Sequence, residues 1–394
     1  MATALSQELR RRRLAMGVSQ KVVAEAVGVE RATVAQWEGG SSRPSPERLQ
    51  QLDDHFDARG ELVELGTKGS SSALTRSLLS VRAEIRQALL AQLCFADSGR
   101  ATGWRHNLVP SDEPPSVLST AYGLKALAIL GGRDANTTAV VDWVLGKAVR
   151  SDGEMLGWHA RMQDVPRLET TATAIDALLS AGVGLKVDDV LRMLERLLDD
   201  ASRGRPFILI SALEPLLRLA PDADLTRQFL DALLACRVDF GGRQLWPEKR
   251  LRRDQPMLTA SIAHTARAVT VLRSAPEHLV TDMGSAEDWL SEVENLAEVS
   301  ETIRRDLAAD RSEELTIYHF TSAWVVRALA NAPVPDRPRI ENALRHVWKR
   351  YDPDRHFWAL TNGDVPVWML ADAGYALHDA ALALHPTPVP HDPG

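Results

Sequence analysis

Apolar side chains in the first 66 residues recur at helical spacing in short runs, and glycine or proline separates the runs. Leu5, Leu9 and Leu14 mark one side of a helix over 5–16, which Gly17 ends. Ser19 is a good N-cap for a second helix over 20–26, with Val22, Val23 and Ala26 predicted to face inward. Gly28 makes a sharp turn in "VGVE", and a third helix follows over 31–38 with Val34 and Trp37 inward. Next, "GGSSRPSP" is a loop, Pro46 opens a fourth helix to about Phe56, and "ARGELVEL" reads as a short fifth.

The stretch "GTKGSSSA", with its Gly/Ser-rich part at 67–73, reads as a flexible linker. From Leu74 to about 385 the spacing is helical throughout, and strand signals are sparse. One pattern returns along this region: a proline, a small or hydroxyl pair, an alanine, then an apolar face. It is seen in "PSVLSTAYGLKAL" (115–127), "PRLETTATAIDAL" (166–178) and "PFILISALEPLL" (206–217). It recurs in "PMLTASIAHTARAV" (256–269), "IYHFTSAWVVRAL" (317–329) and "PVWMLADAGYAL" (366–377). Each of these is preceded by another amphipathic helix, over 75–93, 137–149, 187–199, 225–236, 286–298 and 339–350. Six helical hairpins predict an all-α fold: a five-helix domain over 1–66 and an (α/α)6 toroid over 74–385. The six recurring helices would lie inside, and an open α-solenoid is the alternative. Residues 386–394 form a Pro-rich frayed tail.

Two short helices joined by a tight glycine turn make a helix-turn-helix. The string "LRRRRLAMGVSQKVVAEAVGVERATVAQWEGGSSRPSPERLQQL" resembles the XRE (Cro/lambda-repressor) DNA-binding family, over residues 5–65. The resemblance implies that the second helix crosses the DNA backbone and the third enters the major groove. It implies Gln20 on a phosphate or base edge, and Arg31, Thr33 and Gln36 on the exposed side of the recognition helix. Arginine reads guanine and glutamine reads adenine through paired hydrogen bonds. Lys21 and Arg43 are placed for phosphates, and Arg10 to Arg13 either add to the patch or form a solvated helix face. Trp37 reads as core rather than as a base-stacking group. One departure is Glu30, where the family usually has a serine-like cap. Its carboxylate suits the helix terminus but repels phosphate.

Several loops of the second region end alike: "SGRATGW" (98–104), "SDGEMLGW" (151–158), "DFGGRQLW" (239–246) and "PDRHFW" (353–358). Gly/Asp followed by Trp between paired helices resembles the prenyltransferase and squalene-cyclase superfamily, whose repeats carry Q-x-x-x-G-x-W. The lead Gln is absent here, and the third and fifth hairpins lack the motif. The D-x-D-D acid motif of the cyclases is also absent; "VDD" (187–189) and "LDD" (198–200) fall on outer helices. Cys236, Asp239 and His264 are a loose analogue of the zinc ligands of the protein prenyltransferases. Glu169 and Asp152 are the candidate carboxylate pair for glycoside hydrolysis. No GxSxG, HExxH or phosphate loop is present, so no catalysis, metal or cofactor is expected. Trp104, Trp158, Trp246 and Trp358 at the loop mouths, with Tyr122, His264, Tyr318, His319, Trp324 and Trp368 on or beside the inner helices, are candidate lining for an apolar or amphipathic ligand. The competing reading is that each Trp packs against a neighbouring hairpin.

Composition narrows the function. The chain of 394 residues has a net charge of -7, so any nucleic-acid surface must be local. Residues 1–48 carry eight Lys/Arg against five Asp/Glu, and residues 49–66 carry one against five. Two distant cysteines exclude a disulfide framework, and "MATALSQELRRRR" has no apolar signal core. A cytoplasmic, nucleoid-associated bacterial protein without a membrane span is expected. The combined expectation is a transcriptional regulator that binds double-stranded DNA as a homodimer. Its catalytically silent toroid would sense an apolar small molecule or a protein partner. The alternatives are a DNA-tethered interaction module of a stress or defence system and a terpenoid- or prenyl-processing enzyme.

Overall fold

The computed structural model describes residues 4–40, 42, 44–56, 58, 62, 81–109, 112–132, 134–159, 165–248, 260–279, 283–294, 296, 299–308 and 311–384. The chain divides into two compact units, Met1–Val81 and Arg82–Gly394. The Gly/Ser linker at 67–73 and the tail at 386–394 lie outside the described residues.

In the first unit, α1 (Ala4–Ala15), α2 (Gln20–Ala26), α3 (Arg31–Gly39) and α4 (Pro46–His55) follow one another as the punctuation predicts. The Ser19 hydroxyl accepts from the backbone of Val22 and caps α2; Ser45 does the same for α4 through Arg48. Gly28 turns α2 into α3 at φ +65, and Gly40 closes α3 at φ +75, both left-handed positions that suit glycine. The core gathers Leu5, Leu9, Val23, Ala24, Val27, Val34, Trp37, Leu49, Leu52 and Phe56, with Ala58 and Leu62. Three predicted inward residues are not inward. Leu14 is 59% exposed, Val22 is 43% exposed and Ala26 is exposed. The face of α2 that packs is Val23, Ala24 and Val27, one position on from the reading of the pattern. Seven residues with adjacent valines do not settle that rotation; packing against α3 and α4 does. Of the predicted fifth helix only Ala58 and Leu62 are described; both are buried, and Leu62 donates its backbone N–H to Asp53.

The second unit alternates two kinds of helix. The first members are α5 (81–91), α7 (Thr137–Gly146), α9 (Val187–Leu197), α12 (Asp224–Leu234), α14 (Gly284–Glu292) and α16 (Arg337–Trp348). The second members are α6 (Val117–Ile129), α8 (Leu168–Ser180), α11 (Pro206–Leu219), α13 (Ile262–Leu272), α15 (Thr321–Ala330) and α17 (Val367–Leu384). A short α10 (Asp200–Arg203) lies before α11. The second members are the more buried, as their Ala, Thr and Leu content suggests. They pack in order: α6 on α8, α8 on α11, α11 on α13, α13 on α15, α15 on α17, and α17 back on α6.

The all-α expectation gives way to a mostly helical fold with short antiparallel pairs. These are β1 (Cys94–Phe95) with β2 (Ala101–Gly103), β3 (Val149–Ser151) with β4 (Glu154–Gly157) and β5 (Val238–Phe240) with β6 (Arg243–Leu245). Two more are β7 (Val299–Ala308) with β8 (Arg311–His319) and β9 (Tyr351–Asp352) with β10 (Phe357–Trp358). Each joins a first-member helix to its second member. The helix predicted to 298 stops at Glu292, and the one predicted from 317 begins at Thr321, because the chain between forms the β7–β8 ribbon. None of the described helices is long and apolar enough to cross a membrane.

Four of the hairpins end in a tryptophan that repeats one arrangement. Trp104, Trp158, Trp246 and Trp358 are buried, and each donates its indole N–H into the last turns of the preceding helix. The acceptors are the carbonyls of Leu89 (2.8 Å), Val144 (2.7 Å), Leu233 (2.9 Å) and Val347 (3.0 Å). In three repeats the Trp backbone N–H donates to a threonine in the fourth position of the next helix: Thr120 at 3.3 Å, Thr171 at 2.9 Å and Thr265 at 3.1 Å. A Cβ at Gly103 or Gly157 would collide with Thr120 or Thr171, and both glycines have strongly positive φ. In these three repeats the tryptophan therefore ties two helices and a hairpin together.

Candidate nucleic-acid interface and polar interior

The first unit presents α3 along one open stripe. Val34 and Trp37 turn into the core, which leaves Arg31, Ala32, Ala35 and Gln36 exposed. Thr33 is half-buried beside them, and Lys21 on α2 is 76% exposed, 3.8 Å from Glu25. The Gln36 amide oxygen accepts from Ser42 at 3.4 Å. Arg43 lies outside the described residues. Ala32 and Ala35 were not singled out from the sequence; their signal is that they complete the face opposite Val34 and Trp37. Small side chains there allow close approach of a groove floor, and a methyl suits the thymine methyl. Glu30 precedes α3 and makes no side-chain cap.

The basic run at the end of α1 is divided. Arg13 forks onto Glu38 at 2.6 and 3.0 Å and also donates to the Val18 carbonyl at 3.1 Å. Gln20 donates to the same Glu38 carboxylate at 3.0 Å. This triad locks α1, α2 and α3 together, so Arg13 is a strut, and one amide N–H of Gln20 is already engaged. Burial works against the Glu38 charge, but Arg13 and Gln20 outweigh it and hold its pKa below the ordinary value. Arg11 and Arg12 share Glu8, whose pKa the Arg11 hydrogen bond above all lowers to about 2. Arg10 is exposed and adds its positive charge to the field at Glu38. Arg48 donates to the Val27 and Gly28 carbonyls and so closes the end of α2.

In the second unit the second-member helices face one another with charged side chains. Lys125, Asp176, Glu214 and Tyr375 are each the ninth residue of α6, α8, α11 and α17. Lys125 Nζ lies 2.7 Å from Asp176 and 2.8 Å from Glu214, and its ammonium sits over the Tyr375 ring. Arg218 reaches Asp176 at 2.5 Å, and Arg327 reaches Asp379 at 2.9 Å. Residues at like distance from their helix starts meet across the interior, so these helices run in one direction. Burial opposes the Lys125 charge, but Asp176 and Glu214 outweigh it and hold its pKa well above the ordinary value. Asp176 is held low in turn: Lys125 and Arg218 overcome its burial.

Nearer the helix starts the interior is aromatic. Arg267 of α13 stacks on Phe207 (4.6 Å) and Trp324 (4.4 Å), and Trp324 donates its indole N–H to Asp372 at 2.9 Å. His264 and His319 meet edge to face at 4.8 Å, and the Ser261 hydroxyl lies 2.8 Å from His264 Nδ1. Burial pushes the Tyr122 hydroxyl up to about 12 and raises Asp372 against the pull of Arg267 and Arg327.

The predicted ligand residues thus separate. Tyr122, His264, His319 and Trp324 come together at this aromatic layer. Trp104, Trp158, Trp246 and Trp358 instead fill the packing of the hairpins and show no ring face to a ligand. Tyr318 is exposed on β8, where strand alternation turns it away from His319. Trp368 is half-buried at the start of α17. Arg267, Phe207, Asp372 and the Lys125 cluster were missed; their signal is a polar residue at the same offset in aligned repeats. Cys236 is buried and donates to the Arg203 carbonyl, while Asp239 is exposed and caps Gly242. Glu169 is buried in the first turn of α8, whereas Asp152 is exposed in the β3–β4 turn. Among the described residues no group of three His, Cys, Asp or Glu is placed to hold a metal.

Residues 4–65 match the family model described as a helix-turn-helix domain. The comparison with curated proteins finds no match for the chain.

Proposed function

We propose that this chain is a sequence-specific transcriptional regulator of the XRE type that reads duplex DNA as a homodimer through α3. The observation that carries the reading is the open stripe of Arg31, Ala32, Ala35 and Gln36 on the third helix of a matched helix-turn-helix domain. A single short recognition helix binds weakly, and two half-sites about 34 Å apart restore affinity. The second unit, whose second-member helices pack in a closed order, is read as an (α/α)6 toroid that controls DNA binding. The repeated hairpin tryptophans are what supports reading a likeness to the cyclase superfamily. We take its interior as a binding surface without catalysis, because Asp176, Glu214 and Asp379 are engaged by Lys125, Arg218 and Arg327. The setting is the bacterial cytoplasm.

Operator selection from random duplexes, followed by fluorescence anisotropy, tests the DNA reading. Arg31→Ala or Gln36→Ala should relax base preference by about 1–3 kcal/mol for each lost paired contact, whereas Lys21→Ala should weaken all duplexes alike and flatten the salt slope by about one. Unchanged binding in all three variants sinks the proposal.

A further inference from the structure

We propose that the aromatic layer of the second unit is a binding site for an organic carboxylate on a flat apolar body, with the Arg267 guanidinium as its anchor. The proposal rests on the reading of this unit as a sensor and gives the chemical class of its ligand.

The anchor is a charge without a hydrogen-bonded counter-ion among the described residues. Arg267 is 6% exposed, and its buried Nε meets no acceptor among the described residues; Asp372 acts on it through its charge, without a hydrogen bond between them. The other buried cations of the interior differ. Lys125 holds two carboxylates and Arg327 holds Asp379. A buried guanidinium without hydrogen bonds is costly, and an incoming anion relieves that cost. Phe207 and Trp324 stack on the guanidinium, which leaves its in-plane N–H fork for a ligand. A planar fork pairs with a carboxylate through two parallel hydrogen bonds.

The surroundings define the rest of the ligand. Thr265 braces the Trp246 hairpin, and Arg267, two residues on, projects from the other side of α13 into the interior. Tyr122 stands two residues after Thr120 in the same way. Tyr122 and Phe207 are half-buried although they lie on helices that pack in the interior, and we take their remaining surface as the mouth of a recess. Its walls are aromatic, which selects a flat apolar body. Asp372 lies within electrostatic reach of Arg267 and opposes a second negative charge, so a monoanion suits the site better than a phosphate dianion. The layer occupies the first two turns of helices that run one way, whose positive ends favour an anion.

The test is a titration of the full-length protein with 2-naphthoate and with neutral 2-naphthamide, followed by tryptophan fluorescence and calorimetry. Phenyl phosphate is the comparison anion. Wild type should bind 2-naphthoate saturably and roughly tenfold more tightly than either alternative. Arg267→Met should erase the preference, and Arg267→Lys should restore only part of it. If Arg267→Met fails to fold, Phe207→Leu, which keeps core volume, should weaken 2-naphthoate binding while leaving the melting temperature near that of wild type. Equal affinity for the acid and the amide, no saturable binding, or wild-type behaviour of both Arg267→Met and Phe207→Leu overturns the site. Operator affinity is read in the same preparation. Lost naphthoate preference with intact DNA binding removes the site and leaves the regulator. Arg267-dependent binding that leaves operator affinity unchanged keeps the site and removes its link to DNA.

Discussion

Arg13 and Arg31 are both arginines of a DNA-binding domain, but their surroundings give them different work. Arg31 is exposed at the start of α3 and can meet a base edge. Arg13 is spent on Glu38, and Glu38 also holds Gln20. This sets a pH dependence. The pKa values of Glu38 and Glu8 lie below the ordinary 4.5 in the folded domain, that of Glu8 at about 2. A depressed carboxylate contributes stability that is full above its unfolded pKa and is lost as pH falls through the folded value. Hydrogen exchange of α1 and α3 amides should therefore show wild type loosening between pH 4.5 and 2. Arg13→Met should be destabilised at neutral pH and should lose less on acidification, because its Glu38 no longer has a partner to release. A variant with the same acid profile as wild type would show that the Arg13 fork contributes nothing.

The repeating element is a helix, a hairpin and a tryptophan that clamps the next helix. Its indole hydrogen bond falls on a main-chain carbonyl that any sequence would supply, while in three repeats its backbone N–H needs a threonine side chain. Trp158→Phe keeps an aromatic ring but removes the indole donor to the Val144 carbonyl, which retains the Lys147 backbone N–H, and should cost about 0.5–1.5 kcal/mol. Gly157→Ala should cost about 1–3 kcal/mol for the strained backbone, with the clash against Thr171 in addition. Both are read as a lower midpoint in denaturant or thermal unfolding. Gly153→Ala is the control, because positive φ strains it while its Cβ would meet open space. If Gly157→Ala is no worse than Gly153→Ala, the close approach to Thr171 is not what fixes the hairpin.

Across the whole second unit, the Lys125 cluster joins α6, α8 and α11 at one level of the interior. Removing Lys125 deprives the others of a partner. Lys125→Met should destabilise by about 3–5 kcal/mol, since half-buried Glu214 would lose its cation and buried Asp176 would keep only Arg218. Replacing Asp176 and Glu214 by Leu as well should recover much of the loss, because a well-packed apolar cluster costs no desolvation of charge. Thermal unfolding of the single and triple variants decides it. A triple variant no more stable than Lys125→Met would mean that the ionic cluster is needed for the packing itself.

The amino-acid sequence by itself determined the order and the ends of the four helices α1 to α4. Ser19, Gly28, Gly40 and Ser45 are caps and turns whose conformations follow from local chemistry, and Val34 with Trp37 orients α3 without help from distant residues. It also determined the alternation of helices in the second unit, since helical period is a local property. Rotation of short helices was not legible, as Val22 against Val23 illustrates, because two adjacent apolar residues leave the buried face undecided. Nor was the β7–β8 ribbon, whose charged strand sequence carries no clear alternation and whose pairing joins residues as far apart as Val299 and His319. Tertiary structure alone decided which tryptophans serve packing and which side chains meet inside. Partners such as Lys125 and Glu214, or Trp324 and Asp372, are remote in the chain, and only closure of the helices against one another gives each charge its environment.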